Sequence, residues 1–360
     1  MSRYFKSDNT ATASPRMLAA LQAANQGPAR AYGDDDWSRR LDAAFGALFG
    51  RDVRVFPVAT GTAANSLALA TLVPPWGAIL AHEGAHVVRD ECGAPEFMSG
   101  GARLLLLPGA DGKLTPAAVE TALADNPPSV HTVQPRALTL TQATEYGTSY
   151  RPGELAALAG LAHDRGLAVH MDGARFANAV AYLGCPPAEL SWRSGVDVLS
   201  FLGHSPAEVT WKAGVDVLSF GATKNGALGA EAVVFFDPDR VADFELRRKR
   251  AGHLLSKMRY VAAQLLAYLE DDLWLRHAAR ANAFARRLGT AAGPLLRHPV
   301  EANEVFLAAG TERIAGLRRA GFEFYDWGPA GSGEARFVVS WDQPEDDVEA
   351  LERALSDCAG

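Results

Sequence analysis

Val215-Asp216-Val217-Leu218-Ser219-Phe220-Gly221-Ala222-Thr223-Lys224-Asn225-Gly226 decides how the chain is read. A short apolar, β-branched run reads as a buried strand, and it breaks into a turn of small residues. Lys224 therefore lies just past the end of a core strand. In an α/β sheet that edge is where reactive groups are presented. A lysine held partly out of water there offers its neutral amine for a Schiff base. A lone loop lysine is more often simply solvated, so the weight falls on what surrounds it.

Upstream, Leu167-Ala168-Val169-His170-Met171 reads as a second buried strand, with Asp172-Gly173-Ala174-Arg175 at its C-terminal end. An aspartate there needs a cationic or N–H partner. Val53 to Val58 is a strand running into Ala59-Thr60-Gly61-Thr62-Ala63-Ala64-Asn65 and then a helix over Ser66–Val73. The free N–H groups of that turn, its helix dipole and the Thr62 hydroxyl suit an anion. Ile79 to Ala81 is a short strand ending near His82 and His86, and His86 precedes a helix expected to hold Asp90, Glu91 and Cys92. Leu104 to Leu107 and Ala137 to Thr141 are further strands, the latter ending in Gln142-Ala143-Thr144-Glu145. Helices are expected after Thr115-Pro116 and over Glu154 to Asp164. This alternation from residue 50 to 236 predicts a mainly parallel, doubly wound sheet. Gly61, Thr62, His86, Gln142, Asp172 and Lys224 would then share one edge of it.

Ser14-Pro15 opens an N-terminal helix closed by Gly27. The polar arm before it, Ser7-Asp8-Asn9-Thr10, is either disordered or laid into a site. Arg247-Arg248-Lys249-Arg250 reads as a solvated face. Helical runs cover about Leu254–Leu269 and Leu273–Leu288, and about Val300–Ala359 reads as a small α+β unit with strands at Val305–Ala308 and Ala335–Ser340. The expected division is an arm and large domain over 1–250, then a helical connection and small domain over 251–360.

With 35 basic and 42 acidic residues the net charge is -7, which argues against a general nucleic-acid or acidic-membrane binder. Cys92, Cys185 and Cys358 have neither paired nor metal-ligand spacing, so no metal is expected and a reducing compartment is favoured. No apolar run is long enough to span a bilayer. These features lead to the expectation of a soluble, cytoplasmic protein.

A repeat interrupts the scheme. Pro187-Ala188-Glu189-Leu190-Ser191-Trp192-Arg193-Ser194-Gly195-Val196-Asp197-Val198-Leu199-Ser200-Phe201 recurs from Pro206 to Phe220, an offset of 19 residues. Two copies do not make a solenoid, and the pattern is that of a local tandem duplication, 187–205 and 206–224. The sheet has one slot for the strand that feeds Lys224. The first copy places Ser205 where the second places Lys224, so the second copy is expected in the slot. Pro187–Ser205 would then leave the sheet as a surface excursion, with Val196, Val198, Leu199 and Phe201 needing cover.

A Schiff-base lysine, a strand-end aspartate and a phosphate-cradling Gly-Thr turn are the parts that pyridoxal phosphate requires. Asp172 would keep the ring nitrogen protonated, and His86 could stack on the ring. The segments Ala59–Asn65, His86 through Glu91-Cys92-Gly93-Ala94-Pro95-Glu96-Phe97, His170–Phe176 and Thr223–Gly226 together resemble the low-specificity L-threonine aldolases. These are fold-type-I enzymes of the aspartate-aminotransferase superfamily. The resemblance runs from Ser7-Asp8-Asn9 and Tyr32-Gly33-Asp34-Asp35 to Ala335-Arg336-Phe337-Val338-Val339-Ser340-Trp341-Asp342. It implies that Lys224 carries the cofactor, Asp172 pairs the ring nitrogen, Gly61 and Thr62 hold the phosphate, and Gln142 and His86 line the ring. Arg175 would lie near the ring hydroxyl and the substrate carboxylate, and Ser7 and Arg336 would bind that carboxylate. It also implies a homotetramer with shared sites, in which Arg259 reaches a neighbour's phosphate.

The implied reaction is retro-aldol cleavage of L-threonine, L-allo-threonine and related β-hydroxy-α-amino acids to glycine and an aldehyde. Phenylserine as the true substrate is one alternative, and a cofactor-free scaffold broken by the duplication is another. One branch of the family has a Glu-Asn-Thr-His stretch whose histidine lies near the substrate hydroxyl. Here Thr141-Gln142-Ala143-Thr144-Glu145 offers no histidine, leaving His86, Glu91 or a phosphate-bound water as candidate acceptors of the hydroxyl proton.

Overall fold

The computed structural model describes residues 2–193, 214–241 and 243–359. Its centre is a seven-stranded sheet in the order β2-β8-β7-β6-β5-β3-β4. The strands are β2 (Arg54–Val58), β3 (Gly77–His82), β4 (Arg103–Leu107), β5 (Gln134–Thr141), β6 (Ala168–Gly173), β7 (Val217–Gly221) and β8 (Glu231–Phe235). Neighbours from β4 through β7 run parallel, and β8 lies antiparallel to both β7 and β2. Every residue of β3, β6, β7 and β8 is buried. That is why these strands read as continuous apolar runs rather than alternating ones.

Helices cover both faces. Gly61–Leu72 lies against one face and is buried from Ala63 through Ala70. On the other, Leu155, Leu158 and Phe176 join Phe45, Phe49, Phe220 and Trp274 in the main core. A second core holds Ala281, Phe284, Leu288, Val305, Leu307, Phe337 and Leu351. It surrounds a three-stranded antiparallel sheet of β9 (Glu304–Ala308), β12 (Glu334–Val338) and β11 (Tyr325–Trp327). Phe5 also belongs to this second core. The arm strand β1 (Arg3–Tyr4) pairs in parallel with β10 (Phe322–Glu323), and Val338 donates its N–H to the Phe5 carbonyl. The arm is thus stitched to the C-terminal unit and reaches the sheet from there.

Two local expectations are corrected. The helix at His86 ends at Arg89, so Asp90, Glu91 and Cys92 lie outside it. Cys92 takes φ 52 and Gly93 φ 73, left-handed backbone that stops a helix. Within Phe244–Arg250 the basic run is not wholly solvated. Arg248 is buried and stacks over Phe56, its stem covering apolar surface.

The repeat is resolved partly as expected. Strand β7, which feeds Lys224, comes from the second copy as expected, and it pairs with β6 and β8. However, the start of the first copy is not expelled. Pro187–Leu190 forms a 3-10 turn with Ala188, Leu190 and Ser191 buried. Trp192 donates its indole N–H to the Phe49 carbonyl at 2.9 Å, beneath the Arg51 guanidinium. Gly214 and Val215 lie against the same place: Val215 donates its N–H to the Ser191 carbonyl, and a Cβ on Gly214 would run into the Trp192 backbone. The expected excursion therefore cannot begin at Pro187. Val196, Val198, Leu199, Phe201 and Ser205 lie outside the described residues.

This register generates a prediction. Deleting Gly195–Ala213, also 19 residues, keeps the observed Pro187–Arg193 packing and joins Ser194 to Gly214. Deleting Pro187–Ser205 instead puts Val209 where Leu190 is fully buried and Thr210 where Ser191 is. We expect both variants to fold, with the second less stable by about 1 kcal/mol from the lost methylene and the added methyl. Thermal melts of the two side by side check this, and equal or reversed midpoints would refute the assigned register.

Candidate active site

The lysine turn is built to be rigid. Thr223–Asn225 is a single 3-10 turn. Asn225 donates from Nδ2 to the Tyr268 hydroxyl at 2.6 Å and to the Trp274 carbonyl at 2.8 Å, and its own carbonyl meets His277 Nδ1 at 2.9 Å. Thr223 donates its N–H to Glu231 Oε1 at 3.4 Å. Burial pushes Glu231 up to about 7, against hydrogen bonding from Thr223 and the nearby charge of Lys224. Lys224 itself is half-buried, and among the described residues its amine makes no hydrogen bond or ion pair.

Strand β6 delivers Asp172 beside this turn, in register with Ser219 of β7. The two strands close tightly at the rim: a Cβ on Gly221 would lie 2.9 Å from the Ala174 backbone, an approach that requires glycine. Asp172 is buried. Its Oδ1 accepts from the Ala174 N–H at 3.0 Å and its Oδ2 from Asn65 Nδ2 at 2.9 Å. The same Nδ2 donates to Glu91 Oε1 at 2.8 Å, and Glu91 Oε1 meets His86 Nδ1 at 2.9 Å. One amide therefore ties together two carboxylates and, through them, a histidine. Burial raises Glu91 against the opposing pull of the His86 hydrogen bond, and donating to Glu91 raises His86. His86, Glu91 and Asp172 each bring a ligand atom to within 4.8 Å of one another. The Asn65 amide occupies carboxylate lone pairs that a cation would need.

The Gly-Thr turn starts the helix Gly61–Leu72, with Thr60 as N-cap accepting from the Ala63 N–H at 3.2 Å. That cap leaves the Gly61 and Thr62 amides without a partner among the described residues, and the space a Gly61 Cβ would fill is open. A helix start with free N–H groups is an anion cradle.

Across the rim stands a second group of charges. Arg175 is buried and donates from Nε to Asp8 Oδ2 at 2.8 Å and from an Nη to Asp8 Oδ1 at 3.0 Å. Asn303 Nδ2 adds a bond to Asp8 at 3.0 Å. Burial penalises both charges, but Arg175 and Lys224 hold Asp8 below the usual carboxylate range, and Asp8, Glu304 and Glu145 hold Arg175 above its own. Glu304 Oε1 lies 3.4 Å from Arg175 and 3.9 Å from Arg336. Ser7 caps the turn Asp8–Thr10, accepting from the Asn9 N–H at 3.2 Å. Among the described residues its hydroxyl donates to no partner.

Lys224, Asp172, His86, Gly61, Thr62, Arg175, Ser7 and Arg336 are thus set around one rim by the sheet, the arm and β12. Gln142 is not presented to that space by its side chain. Its Nε2 donates to the Tyr150 carbonyl at 3.0 Å and its Oε1 accepts from the Tyr150 N–H at 2.9 Å, so both ends are spent closing the loop after β5. Arg259 stands apart, donating to the Gly27 carbonyl and the Tyr260 hydroxyl at 3.2 Å each. Asn65, Asp8, Glu231, Asn303 and Glu304 were not singled out from sequence. Asn65 and Asp8 sit inside motifs already marked, whereas the other three carry no local signal.

The donor set fits pyridoxal phosphate. Free amides at a helix start suit its phosphate, a doubly hydrogen-bonded buried carboxylate suits its ring nitrogen, and an unengaged lysine suits its aldehyde. Relatives agree with this reading. The profile of the β-eliminating lyase family matches residues 4–310. A low specificity L-threonine aldolase from Pseudomonas aeruginosa is 47% identical over 355 residues, covering 98% of this chain and 96% of that protein. One from Escherichia coli (strain K12) is 30% identical over 186 residues, 52% of this chain and 54% of that protein. Among solved structures, a threonine aldolase from Leishmania major superposes with a TM-score of 0.87 at 26% identity, covering 99% of this chain and 100% of that one. An aspartate aminotransferase from Rhodobacter sphaeroides shares the fold, with a TM-score of 0.69 at 16% identity over 100% of this chain and 92% of that one. The chain therefore belongs to the β-eliminating lyase family of pyridoxal phosphate-dependent, fold-type-I enzymes, on the branch of the low-specificity L-threonine aldolases.

Proposed function

We propose that this chain cleaves L-threonine, L-allo-threonine and related β-hydroxy-α-amino acids to glycine and an aldehyde, with pyridoxal phosphate carried on Lys224. The observation that supports it best is the meeting of Lys224, Asp172 and the open Gly61-Thr62 helix start on one rim, faced by Arg175 and Arg336. The bound group supplies an aldehyde for the substrate amine and a ring that accepts the electron pair of a bond broken at Cα. Asp172, oriented by Asn65 and the Ala174 N–H, holds a proton on the ring nitrogen. Gly61 and Thr62 take the phosphate. Arg336, with Arg175 and the Ser7 hydroxyl, fixes the substrate carboxylate and thereby decides which bond at Cα stands across the ring plane. His86, tied to Glu91 through Nδ1, presents Nε2 as the acceptor of the β-hydroxyl proton.

The delivery of Lys224 to the rim by β7 favours an enzyme over a scaffold broken by the duplication. We further propose a cytoplasmic homotetramer in which Arg259 serves a neighbouring copy's phosphate. A purified protein that is yellow, and whose visible band is lost on borohydride treatment, tests the cofactor assignment. Initial rates on threonine, allo-threonine, phenylserine and serine then rank the substrates.

Three substitutions test the roles. Lys224→Ala should abolish both the covalent cofactor adduct and aldol cleavage, and substantial turnover would sink the lysine assignment. Asp172→Asn should fold and bind cofactor while losing on the order of 10² or more in kcat, the scale of a positioned proton-holding group. A near-normal kcat would contradict its pairing with the ring. Arg336→Lys keeps the charge but loses the bidentate fork, so KM should rise about tenfold, the equivalent of roughly 1.4 kcal/mol. An unchanged KM would place Arg336 away from the carboxylate.

A further inference from the structure

The buried charges at the carboxylate end leave no surplus for an incoming anion. Arg175, Arg336 and Lys224 supply three cations, and Asp8, Glu304 and Glu145 supply three carboxyl groups within electrostatic reach. With all three ionised the cations are already matched, so a substrate carboxylate would add an unbalanced negative charge unless one of them is neutralised. Asp8 is fully committed, bonded twice by Arg175 and once by Asn303. Glu304 is different. It has no solvent exposure, yet among the described residues neither of its oxygens accepts a hydrogen bond, and the Arg336 Nε is likewise buried without a partner there. Gly147 packs against the Glu304 backbone and Cβ, where an added Cβ would come within 3.1 Å. A buried carboxylate without hydrogen bonds is costly in its charged form and far less so when neutral.

We propose that Glu304 is a proton-linked counter-charge for the carboxylate subsite, neutralised by uptake of one proton when an amino-acid carboxylate binds to Arg336 and Arg175. This rests on the assignment of those two arginines to the substrate carboxylate. Without ligand, an ionised Glu304 partly satisfies both guanidiniums. When the ligand carboxylate takes its place as their anion, Glu304 picks up a proton from solvent, and the cluster gains no net charge. The groups facing Glu304 are Arg175 at the end of β6, Arg336 on β12, Asp8 of the arm and Glu145 in the loop after β5. Burial pushes Glu304 up to about 7 against the pull of the two arginines. The protonated form favours the ligand, so affinity is complete below that pH and falls as pH rises through it. Glu304 is a positioning residue: it touches neither cofactor nor substrate and acts through Arg175 and Arg336.

The test uses the holoenzyme and 3-hydroxybutyrate, which has the carboxylate and hydroxyl of threonine but no amine. The ligand therefore neither titrates in this range nor exchanges with Lys224. Binding is measured from pH 6 to 9 by calorimetry in two buffers of different ionisation enthalpy. The visible band reports the cofactor's own protonation in the same samples, and that contribution is subtracted. The wild-type Kd should stay level below about pH 7 and weaken toward about tenfold per pH unit above it, with up to one proton taken up per ligand. Glu304→Gln should bind with a level Kd and no such uptake. Full wild-type slope and uptake in Glu304→Gln would overturn the proposal, as would a wild type without uptake beyond the cofactor's, a measurement that stands even where the variant does not fold. Arg336→Ala separates the underlying reading: binding lost at every pH upholds the carboxylate subsite, whereas unchanged binding removes that subsite and the proposal together.

Discussion

The buried pair between Arg175 and Asp8 is the contact on which the site depends, because it joins the N-terminal arm to the middle of the main sheet. Arg175 lies just past β6 at the rim of the main sheet, and Asp8 belongs to the N-terminal arm. The arm is anchored elsewhere, by Phe5 in the second core and by pairing of Arg3 and Tyr4 with Phe322 and Glu323. Asn303, next to β9, adds a third attachment to Asp8. Arm, sheet and C-terminal unit therefore meet at one carboxylate. Breaking such a pair by removing one partner leaves an uncompensated buried charge, typically at a cost of about 3–5 kcal/mol. That penalty holds Ser7 beside the rim. Asp172, by contrast, is satisfied by Asn65 and the Ala174 N–H.

The acidic groups of the site fall into two sets with separate tasks. At the ring end, Asp172 and Glu91 share the Asn65 amide, and Glu91 takes up His86. A shared donor holds two carboxylates close in space while leaving each a separate second partner, the Ala174 N–H for Asp172 and His86 for Glu91. At the carboxylate end, Asp8 and Glu304 compete for Arg175. Asp8 wins on geometry, with two short bonds against a 3.4 Å approach that makes no hydrogen bond. The consequence is a strongly fixed cation, Arg175, beside a loosely held one, Arg336. The second is the group whose partner an incoming carboxylate can most readily replace.

What the sequence showed in advance were the features that repeat along a strand or sit beside a turn. Buried strands fully covered on both faces leave apolar runs, and small polar residues just beyond them mark the rim. Lys224, Asp172, His86 and the Gly61-Thr62 start were legible on that basis. What it did not show were partners chosen through space. Glu304 sits within an ordinary edge strand, and nothing local distinguishes it until β12 brings Arg336 beside it. The helix expected at Asp90–Cys92 failed because left-handed backbone at Cys92 and Gly93 was invisible in a run without glycine before position 93. Arg248 looked solvated because four consecutive cations usually are, yet the helix Phe244–Arg250 lays it across Phe56. The Gln142 side chain was placed by its position at a strand end, and a loop-closing bond to Tyr150 claimed both of its polar atoms.

The duplication shows why near-identical sequence does not define a boundary. Both copies can supply the Pro-Ala-Glu turn and its tryptophan, but only the second continues into Thr223-Lys224-Asn225-Gly226. The strand slot is therefore decided by the residues downstream of the strand. The turn ahead of it is decided by the residues upstream: Gly184 ends the helix Phe176–Leu183 in left-handed backbone, and the next few residues bring Pro187–Leu190 straight onto the main core. The first copy has that position by proximity along the chain, and the second copy has the strand by virtue of its lysine. The two claims meet where Trp192 and Gly214 touch, at matched points of the repeat, since Gly195 is the first copy's equivalent of Gly214. A junction between equivalent positions lets the Pro187–Leu190 turn and β7 keep the sequence spacing that a single copy would have. The rim accordingly keeps Asp172 and Lys224 together despite 19 extra residues between them.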